Sequence, residues 1–234
     1  LPIPDSAASL KISIIVPLLN EAAGLPHLLD GLRQSGADEC LVVDGGSTDG
    51  SRDLLAQSGI RWLTSPAGRA AQMNAGAQAA GGDVLLFLHA DTKLDASHMQ
   101  AVRRVMRDPH IAGGRFDVSL TGSHPALRVI AWFINLRSRF TRISTGDQAI
   151  FVRREAFESL KGFAGIQLME DIEFSRRMKR QGGIACLKKK ILTSGRRWEQ
   201  HGILRTVLLM WRLRLMFWLG VSPEKLAALY REAR

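Results

Sequence analysis

Several carboxylates in this 234-residue chain stand where an apolar run gives way to a loop. An acid in that position can meet a ligand instead of filling a core. Asp91 follows Val84-Leu85-Leu86-Phe87-Leu88 and the pair His89-Ala90, Asp44 ends Glu39-Cys40-Leu41-Val42-Val43, and Glu21 lies shortly after Ile12-Ser13-Ile14-Ile15-Val16-Pro17. Oxygen ligands of this kind suit a hard divalent cation, which can in turn hold a diphosphate. The same acids can accept hydrogen bonds from a base edge or from ribose hydroxyls. Plainer roles compete. Asp91 can simply precede a helix capped by Thr92 or Asp95, and Asp44-Gly45-Gly46-Ser47 can be a tight turn with a cap. Arg69 opens a helix and can either reach a diphosphate with its fork of donors or lie solvated. Glu170-Asp171-Ile172-Glu173 begin a helix that ends in Arg176-Arg177-Met178-Lys179-Arg180, an order that complements the helix dipole without further purpose.

The elements that must position these residues alternate. Strands are expected at 11–17, 39–44, 60–63 and 84–88, and helices at 25–33, 51–58 and 69–80, the pattern of a parallel α/β sheet. The run 84–88 is apolar throughout and reads as a strand buried on both faces. Beyond Asp91 the pattern loosens into helices at 96–107, 125–140 and 169–180, strands at 113–120 and 148–152, and a loop at 195–201. This second half is α+β material joined to the first. One large domain is expected at 11–201, after an amino-terminal arm at 1–10 and before a helical extension at 202–234.

Composition is that of a folded globular protein, 46% hydrophobic and 23% charged. The formal charge of +10 favours anionic partners: nucleotides, phospholipid surfaces or nucleic acid. Nucleic acid ranks last, because the arginines are scattered and no aromatic stacking strip accompanies them. Cys40 and Cys186 are far apart in apolar settings, and no zinc spacing exists, so reduced thiols in a cytoplasmic protein are expected. The first residues lack the basic start and apolar core of a signal peptide, and no run of about 18 apolar residues appears.

The ordered set of short motifs resembles the inverting family 2 glycosyltransferases of the GT-A fold. It comprises Val16-Pro17-Leu18-Leu19-Asn20-Glu21, Val43-Asp44-Gly45-Gly46-Ser47-Thr48-Asp49, His89-Ala90-Asp91, Gly146-Asp147-Gln148 with Phe151-Val152-Arg153-Arg154, Glu170-Asp171, and Arg196-Arg197-Trp198. The resemblance spans residues 11 to 201. It implies a Rossmann-like, mostly parallel sheet flanked by helices, a UDP- or GDP-sugar donor, a Mn2+ or Mg2+ ion, and inversion at the anomeric carbon. Residues 11–95 would bind the nucleotide sugar, and 96–201 would carry the acceptor and the catalytic acid. On this basis Pro17, Asn20, Glu21, Asp44, Gly46, Arg69 and Ala90 are assigned to the nucleotide and Asp91 to the metal, with His201 as a further ligand. Asp171 is assigned as general base, with Glu170 orienting the acceptor. Gly146, Asp147, Gln148, Arg196, Arg197 and Trp198 are assigned to the acceptor or diphosphate. The chain departs from the family pattern where Gly45 replaces a second acid, where His89 replaces the first acid of the metal motif, and where no glutamine precedes Arg196-Arg197-Trp198.

Residues 203–219 are apolar on nearly every helical face yet carry Arg205, Arg212 and Arg214. Such a helix can dock on its own domain or on a twin subunit, or lie at the inner face of a membrane where a lipid-linked acceptor resides. The acceptor hydroxyl is otherwise unspecified. A sugar-nucleotide nucleotidyltransferase is the alternative enzyme, but a glycine-rich triphosphate loop is missing after the first strand.

Overall fold

The structure is a computed structural model and describes residues 10–200 and 202–232. Its amino-terminal half is β1 (Ile12–Leu18), α1 (Leu25–Gln34), β2 (Glu39–Asp44), α2 (Ser51–Gln57), β3 (Arg61–Thr64), α3 (Arg69–Ala79) and β4 (Val84–Phe87). The remainder is α4 (Ala96–Val105), β5 (Ile111–Thr121), α5 (Ala126–Thr141), a 3-10 turn (Gly146–Gln148), β6 (Ile150–Arg153), α6 (Arg154–Ser159), α7 (Glu170–Met178), β7 (Gly183–Ser194), α8 (Arg196–Gln200), α9 (Ile203–Trp218) and α10 (Pro223–Glu232). The strands form one seven-stranded sheet in the order β3-β2-β1-β4-β6-β5-β7. β6 runs against its neighbours β4 and β5, and the other pairs are parallel. The start of β6 therefore lies at the same edge of the sheet as the carboxyl ends of the parallel strands, which is where a ligand is expected.

Local sequence explains the packing. β4 is a continuous apolar run, and β1 is one but for buried Ser13, because helices cover both faces of the sheet, with Ile14, Ile15, Leu85 and Leu86 fully buried. Pro17 lies past Ile15, the last residue of β1 in register with β4, so its missing N–H removes nothing from that ladder. α1 buries Leu25, Leu28, Leu29 and Leu32 at helical spacing. α3 lies close on β1 and β2 because Gly76 has no Cβ to strike Ile15 and Val43. On the same side Phe87, Phe157, Phe163 and Phe174 form an aromatic cluster, with the Phe163 and Phe174 centroids 4.4 Å apart, and anchor α7 to the sheet. α5 is fastened to β5 by Asn135, whose side chain accepts from the Val118 N–H (2.8 Å) and donates to the Val118 carbonyl (3.0 Å). A buried ion network of Arg115, Asp117 and Arg139 joins the same two elements.

Two expectations are corrected. Residues 196–200 form the short helix α8 and not a loop: Glu199 Oε1 accepts from the Ser123 N–H at 3.0 Å and pins α8 to the turn after β5. The long strand β7 was not expected at all. The helix at 203–218 meets the docking expectation on one face. Leu213 is buried there in a cluster with Met169 and Leu226, against which Ile172, Leu209 and Met216 pack.

Candidate active site

The loops after β1 and β2 are locked together. The Asn20 side chain accepts from the Thr48 N–H (2.9 Å), while the Asn20 N–H donates to Ser47 Oγ (2.8 Å). Glu21 N–H donates to Ser51 Oγ, and Ala22 N–H to Asp49 Oδ2. Asn20 itself sits at φ 54, which asparagine tolerates better than most residues. Asp44 is fully buried, and its carboxylate accepts from the backbone N–H of Gly46 (3.0 Å) and Ser47 (3.1 Å). Its oxygens shape the turn that presents exposed Gly46 and do not face the cavity described next. This is the tight-turn role that the sequence also allowed. Beneath the turn, Gln72 Nε2 donates to the carbonyls of Leu18 (2.7 Å) and Val43 (2.9 Å), clamping the ends of β1 and β2.

A cavity of about 210 Å³ opens between the loop after β1, helix α1 and the segment that follows β4, lined by Glu21, His27, Ala90, Asp91, Lys93 and Arg196 among others. Asp91 is exposed on it, with Oδ1 3.3 Å from the Thr193 hydroxyl of β7. Thr193 is buried, and it also accepts from Thr92 at 2.9 Å. It belongs to the strand that sequence periodicity did not show. Helix α4 takes its cap from Asp95, not from Thr92, which leaves Asp91 outside the capping. Among the described residues no group of three His, Cys, Asp or Glu is assembled to hold a metal. Asp91 is a hard, exposed carboxylate of the kind that fits a Mg2+ or Mn2+ ion. His201 lies outside the described residues, as does the side chain of Arg197.

A second knot forms where β4, β6, α3 and α7 converge. Asp171, in the first turn of α7, accepts from the Gly146 N–H at 2.7 Å through Oδ2 and from the Ile172 N–H at 2.7 Å through Oδ1. The His89 ring lies so close to Gly146 that a Cβ there would strike it. His89 is thus turned towards Asp171, and only Ala90 separates it from Asp91. Two peptide steps span at most about 7 Å, so Asp91 and Asp171 flank one end of the sheet. Ala149 and Met169, on either side of the knot, hold positive φ values of 46° and 68°, strained geometries that surrounding packing must enforce. Glu170 is buried beside Asp171, with Arg69 Nη1 3.5 Å from its carboxylate. Burial first, and then the Asp171 charge, push the Glu170 carboxyl up to about 7, while Arg69 pulls the other way. Gln148 is buried and caps its own turn, accepting from the Thr145 N–H at 3.1 Å.

Sequence reasoning passed over Arg137 of α5. Burial and the neighbouring Arg214 of α9 lower its proton affinity to about 10, opposed by Asp147 and Asp171. It brings α5 and α9 to the edge of the site. A signal existed, since Arg137 falls at i+7 from Ile130 and i+3 from Ile134, a charge within the apolar side of its helix. Trp198 is half-buried in α8, and Arg196 is exposed on the cavity.

Comparison with known proteins agrees with this geometry. A "PGL/p-HBAD biosynthesis glycosyltransferase" of Mycobacterium tuberculosis is 42% identical over 96 residues, covering 37% of this chain and 38% of that protein. The 4,4'-diaponeurosporenoate glycosyltransferase of Staphylococcus haemolyticus is 31% identical over 101 residues, covering 38% of this chain and 26% of its own length. The chain thus matches well under half of the length of these relatives. Among solved structures, the mannosyltransferase PcManGT of Pyrobaculum calidifontis, in complex with GDP-Man and Mn2+, superposes over 99% of this chain and 71% of its own, with TM-score 0.65 and 17% identity. S. aureus TarS 1-349 in complex with UDP-GlcNAc covers 79% of this chain and 58% of its own, with TM-score 0.62 and 18% identity. The mostly parallel sheet with flanking helices is the GT-A fold of these neighbours. Residues 13–161, more than half of the chain, match the model of glycosyl transferase family 2. This sets the nucleotidyltransferase alternative aside: the chain belongs to glycosyl transferase family 2.

Proposed function

We propose that the enzyme transfers a sugar from a UDP- or GDP-sugar to an acceptor hydroxyl in one displacement, inverting the anomeric carbon. The observation that carries this reading is Asp171. Two backbone amides orient its carboxylate at the sheet edge where His89-Ala90-Asp91 emerges. Held there, it takes the acceptor's proton as the hydroxyl oxygen bonds to the anomeric carbon and the bond to the diphosphate breaks. Glu21, Gly46, Asn20, Pro17 and Ala90 form or support the nucleoside side of the cleft, with Asp44 acting through the turn. Arg69 and Arg196 stand ready for diphosphate charge. Asp91 would hold a divalent metal, which when bound supplies positive charge to the departing diphosphate. Glu170, beside the base, orients the acceptor, with Gly146, Asp147, Gln148, Arg197 and Trp198 on that side. The complexes of the structural neighbours with UDP-GlcNAc and with GDP-Man support a nucleotide-sugar donor. The relatives' names, PGL/p-HBAD biosynthesis and 4,4'-diaponeurosporenoate glycosylation, support a cell-envelope or otherwise lipid-linked acceptor.

A thermal-shift panel of nucleoside diphosphates and nucleotide sugars, each with and without Mn2+, tests the reading. One uridine or guanosine diphosphate sugar raises the melting temperature. Asp171→Asn keeps that shift and loses turnover by two or more orders of magnitude, in the range expected for removal of a general base. Substantial transfer by Asp171→Asn removes the base assignment.

A further inference from the structure

α5 and α9 each leave an apolar stripe bare. On α5 the stripe is Val129, Trp132, Phe133 and Phe140, between 54% and 81% exposed. On α9 it is Leu204, Leu208, Trp211, Leu215 and Trp218, between 56% and 74% exposed. Both sets recur at three- and four-residue steps, so each occupies one side of its helix, opposite the side that packs inward. The inward sides are accounted for by Ala131, Asn135 and Ser138 on α5 and by Thr206 and Leu213 on α9. Arg137 and Arg214 each lie about a quarter turn from their stripe. They are near enough for each charge to disfavour the other. Glu199 of α8 accepts from the Ser123 and His124 N–H just before α5, and α8 leads directly into α9, so the two helices begin near each other with their bare stripes facing away from the core. Together they expose five large aromatic rings and four aliphatic side chains, far beyond the scattered apolar residues of an ordinary surface.

Charge decides what covers this face. Residues 125–142 and 202–222 contain no Asp or Glu, and the exposed charges along them are arginines: Arg128 and Arg142 at the ends of α5, Arg205 and Arg212 on one flank of α9. A second copy docking face to face would bring these like charges together, which opposes association. A surface of anionic lipid would pair with them while tryptophan and leucine enter the acyl boundary. Among the described residues no helix is long and apolar enough to cross a membrane, and arginines at this density resist full insertion. We propose that the α5–α9 face docks on the surface of an anionic lipid bilayer. The inner side of α9 packs against Met169 and Ile172, which bracket Glu170 and Asp171, so docking would place the catalytic edge beside the bilayer. The docking claim itself does not depend on the chemistry proposed above.

Co-sedimentation of the full chain with vesicles tests it, using phosphatidylcholine alone and phosphatidylcholine mixed with phosphatidylglycerol. The expected result is binding to the mixed vesicles, weakened by salt and weak or undetectable on the neutral ones. Arg205→Glu with Arg212→Glu should reduce binding by roughly thirtyfold or more, from about 1 kcal/mol per arginine. Trp211→Glu with Trp218→Glu on α9, and Phe133→Glu with Phe140→Glu on α5, should each abolish it; all four positions are exposed, so the fold survives either pair. Three results overturn the proposal: no binding to either vesicle, binding that the arginine pair does not change, or a dimer in sedimentation velocity that the tryptophan pair splits while vesicles are ignored.

Discussion

Glu170 makes the fold depend on pH in a way that one substitution can expose. Its side chain is 3% exposed, and its carboxyl is pushed up to about 7 from an ordinary 4.5 by burial and by the Asp171 charge. Below 4.5 the carboxyl is protonated whether the chain is folded or not, and the residue carries no penalty. As pH rises from 4.5 towards 7 the unfolded chain ionises without cost, whereas the folded chain must retain the proton or bury a charge. The linked stability is therefore complete below 4.5 and is lost by roughly 3 kcal/mol above 7. Glu170→Gln keeps the volume and removes the titration. The lost contact with Arg69 subtracts little, because the Arg69 side chain is 47% exposed and the pair is 3.5 Å apart. Urea unfolding across this range should show the variant level with the native chain near pH 4.5 and ahead of it by about 2 to 3 kcal/mol near pH 8. An advantage that does not change with pH, or a variant weaker than the native chain near pH 8, refutes the account of Glu170 as a carboxyl buried against its own charge.

Gln72→Ala strands the carbonyls of Leu18 and Val43 in a buried site and should cost about 2 to 4 kcal/mol in denaturant unfolding. Gly45→Ala alone should cost about 1 kcal/mol, because its Cβ would meet the Gln72 amide at 3.0 Å. In the double variant that clash is gone, so strict additivity of the two costs would contradict the clamp. Mn2+ alone should not raise the melting temperature, since Asp91 offers a single carboxylate, whereas Mn2+ with a nucleoside diphosphate should. Asp91→Asn should remove the Mn2+-dependent part of that shift, and retention of it places the metal elsewhere.

The amino-terminal half was legible because buried parallel strands write themselves as unbroken apolar runs and helices as leucines at three- and four-residue steps. All four strands and three helices of residues 11–95 lie within two residues of their expected ends. β7 was illegible for a physical reason. Phe116 pairs with Leu187 while Asp117 pairs with Lys190, so Lys188 and Lys189 form a bulge on an edge strand. A charged bulge destroys the alternation by which a strand is recognised, and it is also a means of keeping an edge unpaired. α8 was read as a loop because five residues after a glycine carry no periodicity; its anchor, Glu199 to the turn at Ser123, spans 76 residues of chain. Asp44 was ambiguous for a different reason. A turn-forming aspartate and a ligand-binding aspartate have the same sequence signature, and what the structure adds is the turn-forming contacts, from the Gly46 and Ser47 amides.

The two departures from the family pattern in the donor half become intelligible through their neighbours. Gly45 stands over the Gln72 amide with no room for a Cβ, so the clamp on β1 and β2 occupies the space that a second acid's side chain would need. His89 stands at the first position of the metal motif, but its ring lies against Gly146, near the carboxylate of Asp171. An imidazole directed there sits beside the proposed base instead of on the metal side, and only a glycine at position 146 leaves it space. At the metal motif this leaves Asp91 as the exposed carboxylate. Around Asp171 stand this ring, the buried Glu170 and the half-buried Arg137, so a residue larger than glycine at 146 requires His89 to move or to be replaced.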